Sequence, residues 1–182
     1  MQPVSPADAK AHARVEFDTD DTLVDGLIEA AVQRLDGYAG ILGRCLITQV
    51  WAQSYPGWAP CLRLPFPDVA VSSLGYLDAA GVARTVPADQ YEVSEEARGA
   101  EITFRDAFTR PALDPDRRYP VTVTFAAGYG PDPADVPAPI RAAILMQVAH
   151  LYEHREAVVE TNKTELPLGV QCLVAPYRRV GP

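Results

Sequence analysis

The sequence predicts an α+β fold: a small helical bundle of one short and two longer amphipathic helices, an antiparallel β module inserted between helices two and three, and an extended C-terminal tail. Three observations predict it. Apolar residues recur at three- and four-residue spacing up to Gly43, alternate with polar ones from residue 45 to 127, and return to the helical period after Pro137. Turn residues cut the alternating stretch into pieces of strand length. Cap-forming residues stand before each helical stretch. A chain of 182 residues with 48% hydrophobic content can bury one good core, so a single domain is expected. Its parts are a helical core at 5–43 and 137–160, a β insertion at 45–127, and a tail at 166–182.

Ser5, Pro6 and Asp8 supply an N-cap, a first-turn proline and an acid, which predicts a short helix from Pro6 to about Val15. Asp18, Asp20 and Asp21 then suit the positive end of a second helix. That helix carries Leu23, Leu27, Ile28, Ala31, Leu35 and Tyr38 at helical spacing and is closed by Gly40 or Gly43. Beyond it, 46–55, 62–64, 69–78, 82–86, 91–93, 101–104 and 121–127 read as strands rich in Val, Ile, Thr and aromatics. Brief turns such as Pro56-Gly57 and Asp78-Ala79-Ala80-Gly81 between consecutive strands imply antiparallel pairing.

The longest helical period runs from Pro137 to Val159. At ~100° per residue, Ile140, Ile144, Val148, Leu151, Tyr152 and Val158 share one arc, while Gln147, His150, Glu153 and His154 lie opposite. Arg141 and Arg155 fall within the apolar arc, where they are expected to snorkel or to pair with a carboxylate. In the tail, Leu168, Val170, Leu173, Val174 and Tyr177 are as apolar as a core segment, yet Pro167, Gly169 and Pro176 rule out one long helix. The tail is therefore expected to become ordered only on a partner, with Arg178 and Arg179 pairing with that partner's acids.

Composition narrows the function. The net charge is −8, and no basic patch suited to a nucleic-acid backbone is visible. No apolar run reaches the ~18 residues of a membrane span, and Met1-Gln2-Pro3-Val4 lacks the features of a signal peptide, so an intracellular protein is expected. Cys45, Cys61 and Cys172 are too few and too scattered for a disulfide framework or a CxxC-type metal site. His150-Leu151-Tyr152-Glu153-His154 matches H-x-x-E-H, in which two histidines one turn apart hold zinc and the glutamate activates water. No third ligand is signposted, and a polar helix face accounts for the same residues. No G-x-S-x-G elbow and no glycine-rich phosphate loop is present. Neither a cofactor nor catalysis is expected. A small ligand-binding or enzyme-accessory β module, and after it a zinc hydrolase, are the alternatives.

The order of elements and several local sequences resemble the head-tail connector (adaptor) proteins of long-tailed bacteriophages and phage-like gene transfer agents. The resemblance spans nearly the whole chain. It is carried by Val136-Pro137-Ala138-Pro139-Ile140-Arg141-Ala142-Ala143-Ile144-Leu145, His150-Leu151-Tyr152-Glu153-His154-Arg155-Glu156, Leu166-Pro167-Leu168-Gly169-Val170 and Ala175-Pro176-Tyr177-Arg178. Ala9 to Val15 and Tyr38-Ala39-Gly40 are also similar, while His154 stands where asparagine is expected. The resemblance implies a structural protein that acts in the bacterial cytoplasm during assembly and then at the head-tail junction of the virion. Such proteins form a ring of about twelve copies beneath the portal at the capsid vertex. The ring sits between the portal protein and a stopper or tail-completion protein, and DNA passes through it without specific binding. On that reading Leu168, Val170, Leu173, Val174, Tyr177, Arg178 and Arg179 are the expected interface with the portal or a neighbouring subunit. Ile140, Arg141, Ile144, Val148, Tyr152 and Arg155 are the expected structural core.

Overall fold

Ser5 and Asp8 cap each other at the head of α1 (Pro6–Ala13). The Ser5 hydroxyl accepts from the Asp8 N–H at 3.1 Å, and the Asp8 carboxylate accepts from the Ser5 N–H at 3.4 Å. The structure is a computed structural model, and it describes residues 1–96, 99–154 and 168–179. Its mixed helices and antiparallel sheets make it an α+β fold. By their internal contacts the residues form two units, Met1–Ile47 with Tyr129–Arg179, and Thr48–Gly128.

The first unit is helical. α2 (Asp21–Leu35) buries Val24, Ile28, Ala31 and Leu35 along one stripe. It stops at Leu35, so Tyr38 lies beyond the helix and is 77% exposed. The stop is set by Asp36, whose backbone is extended and whose carboxylate accepts from the Leu46 N–H at 2.6 Å. The acids before α2 do other work than the predicted capping. The Asp20 side chain makes no cap bond and accepts from the Tyr152 hydroxyl at 2.7 Å, while Lys10 reaches Asp18 and Asp21 at 2.7 Å each.

α3 (Ala138–Glu153) buries Ile140, Ala143, Ile144, Gln147 and Val148 and packs against α1, α2 and a further helix, α4. Gln147 corrects the sequence reading, which set it on the polar side. A helix enclosed by three others has little face left for water, and Gln147 is 7% exposed. Arg141 is half-buried, and its Nε has no acceptor among the described residues. Arg155 and Val158 lie outside the described residues.

The second correction concerns the tail. Leu168–Val174 is a helix, α4, followed by a 3₁₀ turn at Ala175–Tyr177. Pro167 and Pro176 exclude one long helix but leave two turns between them. Val170 and Val174, four residues apart, face inward and join the core formed by Ile28, Leu35, Ile140 and Ile144, with Leu173 and Tyr177 packed at its margin. Gly169 permits the close approach, since a Cβ there would stand 2.8 Å from Met146 Cε on α3.

The second unit holds two antiparallel sheets. β1 (Gln49–Tyr55), β7 (Val121–Ala127), β3 (Val69–Leu77) and β4 (Ala83–Thr85) lie in the order β1-β7-β3-β4. β2 (Cys61–Leu64), β6 (Gly99–Phe104) and β5 (Tyr91–Glu96) lie in the order β2-β6-β5. Along β7 the buried residues Val121, Val123, Phe125 and Ala127 alternate with Thr122, Thr124 and Ala126, the period that a sheet covered on one face requires. Phe66 fills the covered side, with ring centroids 5.1 Å from Trp51 and 6.5 Å from Phe125. A second aromatic cluster surrounds Trp58, whose ring meets Tyr76, Phe104 and Phe108 edge-on and whose N–H donates to the Pro111 carbonyl at 2.8 Å. The ladder starts at Gln49 and not at Leu46, because Leu46 is buried with the helical unit, where its carbonyl accepts from the Tyr129 N–H.

Candidate interaction surfaces

Residues 168–179 present two sides. Leu168 is 78% exposed and Arg178 is exposed, whereas Val170 and Val174 are buried and Leu173, Tyr177 and Arg179 are half-buried. The structure thus brings the seven candidate interface residues onto one short segment but turns the two valines into its own core. Arg179 is tied down by its backbone N–H, which donates to the Leu42 carbonyl at 2.9 Å. Burial, and after it the positive charge of Arg44, press the Arg179 guanidinium below its ordinary pKa. Arg44 itself donates to the Tyr129 hydroxyl at 2.7 Å and lies 5.2 Å from that ring's centroid.

The candidate core residues Ile140, Ile144 and Val148 are at most 1% exposed, and half-buried Tyr152 fastens α3 to the head of α2 through Asp20. Ahead of α3, the connector Gly128-Tyr129-Gly130 turns into a reciprocal cap between Asp132 and Asp135. Gly130 is needed there because any Cβ would run into the Asp135 carboxylate.

The H-x-x-E-H residues do lie together at the end of α3. The His150 and His154 rings are 4.6 Å apart, and His154 Nδ1 is 3.1 Å from the His150 carbonyl. Among the described residues, no group of three or more His, Cys, Asp or Glu side chains is placed to hold a metal ion. The three cysteines are free thiols, with Cys45 buried and Cys172 exposed. A hollow in the β unit is lined by Arg63, Leu64, Glu96, Gly99, Ala100 and Glu101, and two of its three charged members, Arg63 and Glu101, are 3.4 Å apart. Among the described residues, no helix is long and apolar enough to cross a membrane.

Sequence patterns alone could not have singled out one further feature, the outward face of β1, which depends on knowing the register. Val50, Ala52 and Ser54 point away from the covered side, and Val50 is 73% exposed.

This α+β architecture, with a helical bundle interrupted by a β module, is also found in chains of gene transfer agent particles. A chain in the virion of a native gene transfer agent particle superposes with a TM-score of 0.77 at 23% identity, covering 99% of this chain and 91% of that one. A chain from the neck of an empty gene transfer agent particle, computed with C6 symmetry, gives 0.75 at 24% identity over 99% and 91%. Another, from the neck of a native particle computed with C12 symmetry, gives 0.69 at 24% identity over 95% and 89%. At these identities the likeness shows a shared fold. No protein-family profile matches the chain, and no curated protein sequence matches it.

Proposed function

We propose that the chain is a structural ring adaptor at the neck of a phage-like or gene transfer agent particle, seated between the portal and the stopper or tail-completion protein. The observation that carries this reading is the extent of the shared fold. Both units, with the connectors between them, correspond over 99% of the chain to a chain from such a neck. The C6 and C12 symmetries of those necks agree with a ring of copies. A net charge of −8 suits a channel lining from which the phosphates of passing DNA are repelled.

Residues 168–179 form the portal-facing element in this proposal. Val170 and Val174 hold the segment to the helical core, Leu168 and Tyr177 offer apolar surface, and Arg178 and Arg179 pair with acids on the portal. Mixing the purified chain with the portal protein encoded beside it tests the role directly. Co-elution at a fixed stoichiometry is expected, and Leu168→Glu combined with Arg178→Glu should weaken it at least tenfold with an unchanged melting temperature. Absence of any complex with the wild-type chain would overturn the adaptor role. Unchanged binding by the double variant would move the contact elsewhere on the chain.

A further inference from the structure

β1 is hydrogen-bonded to β7 on one side only. In an antiparallel ladder about half of a strand's N–H and C=O groups point away from a given neighbour. Among the described residues, those of Val50–Tyr55 find no backbone partner on the far side. Such an edge is a template for another chain, and proteins commonly guard it with charge, proline or brevity. The other three edges are guarded. β4 is three residues long and carries Arg84, β2 is four residues long with Arg63 exposed, and β5 exposes Glu92, Glu95 and Glu96. β1 has seven residues, Gln49–Tyr55, and none of them is charged or proline.

The face beside this edge is equally bare. Val50, Ala52 and Ser54 of β1 lie opposite Ala126, Thr124 and Thr122 of β7, and the Ser54 and Thr122 hydroxyls are 3.1 Å apart. None of the six is charged, in a chain whose residues are 22% charged.

We propose that the β1 edge and this adjoining face form the contact between neighbouring copies of the chain in the assembled ring. This rests on the adaptor reading above. Charge selects the occupant. Two copies of a chain with net charge −8 repel wherever their acids meet, and a face free of acids is ground on which a second copy can settle without that repulsion. Symmetry adds a constraint, because β1 paired with β1 of the next copy would be a two-fold contact, and a ring with rotational symmetry alone has none. The neighbour therefore meets β1 with a different part of its surface, and each copy is both giver and receiver.

The test introduces like charge where the copies meet, with Val50→Glu and Ala52→Glu together. Both positions are exposed, so the monomer should melt as the wild type does. Native mass spectrometry of chain bound to portal particles counts the copies. The wild type should load a complete set cooperatively, and the variant should load at least tenfold less at equal concentration. Complete loading by the variant overturns the proposal. So do complete rings that fail only to bind the protein assembled beneath them, because the face would then serve that protein. If even the wild type ignores the portal, the adaptor reading fails by itself, and sedimentation of the chain alone at high concentration decides the surface. Self-association lost in the variant upholds it, and no self-association, or association equal in both, overturns it.

Discussion

At the scale of single residues, the helical unit contrasts a well-filled site with an ill-matched one three residues further along α3. Ile144 is fully buried among α1, α2 and α4, so Ile144→Ala should cost roughly 2–4 kcal/mol through lost transfer energy and the cavity left behind. Urea unfolding followed by circular dichroism measures it, and a loss below ~0.5 kcal/mol would mean that the site is not closed. Gln147 is buried beside it, yet its Oε1 has no partner among the described residues. Since an unsatisfied buried acceptor costs ~1–3 kcal/mol, Gln147→Met should be neutral or stabilising. A drop in melting temperature of several degrees would show that the oxygen is bonded after all.

At the scale of elements, α4 and β1 make separable predictions. Val170 anchors α4 in the core, so Val170→Ala should cost about 2 kcal/mol, while Leu168→Ala on the exposed side should change stability by less than ~0.5 kcal/mol. Equal effects of the two would mean that α4 is not docked as described. At the end of β1, Tyr55 donates to the Arg63 carbonyl at 2.6 Å, and burial pushes its hydroxyl up to about 12. The folded state thus holds a proton that the unfolded chain releases near the ordinary value of 10. The contribution is complete below pH 10 and is lost as pH rises towards 12, so alkaline unfolding should begin in that window and begin later in Tyr55→Phe. The strands, α1 and the first turns of α3 were legible because alternation, caps and turn residues are local signals. The docking of α4 was not, because a two-turn helix between prolines is stabilised by residues more than a hundred positions away, such as Ile28 and Leu35. Nor was the burial of Gln147, since periodicity measures one face and α3 is enclosed by three helices. The candidate interface residues were recognisable as a segment from sequence, but which of them face outward was decided only by that docking.

At the scale of the whole molecule, net charge bears on the proposed adaptor role. A ring of the kind proposed, built from chains of net charge −8, should let DNA pass without retaining it. Filter binding of labelled duplex to the purified chain or its portal-bound ring should give no retention at physiological salt. Salt-sensitive retention would reveal a basic surface of several phosphate contacts and would remove the channel-lining role from the proposal.

The helical unit is assembled from two segments of the chain, with the seven described strands between them in sequence. During synthesis the strands β1 to β7 therefore emerge while α2 still waits for α3 and α4, and Val174, the last of the described core residues, emerges after them all. A chain broken off before α4 would leave the apolar stripe of α2 open, which is the kind of surface that proteases and chaperones seize. The position of α4 thus makes closure of the helical core a late event: only a polypeptide translated past Val174 can hide Val24, Ile28 and Leu35 in this way.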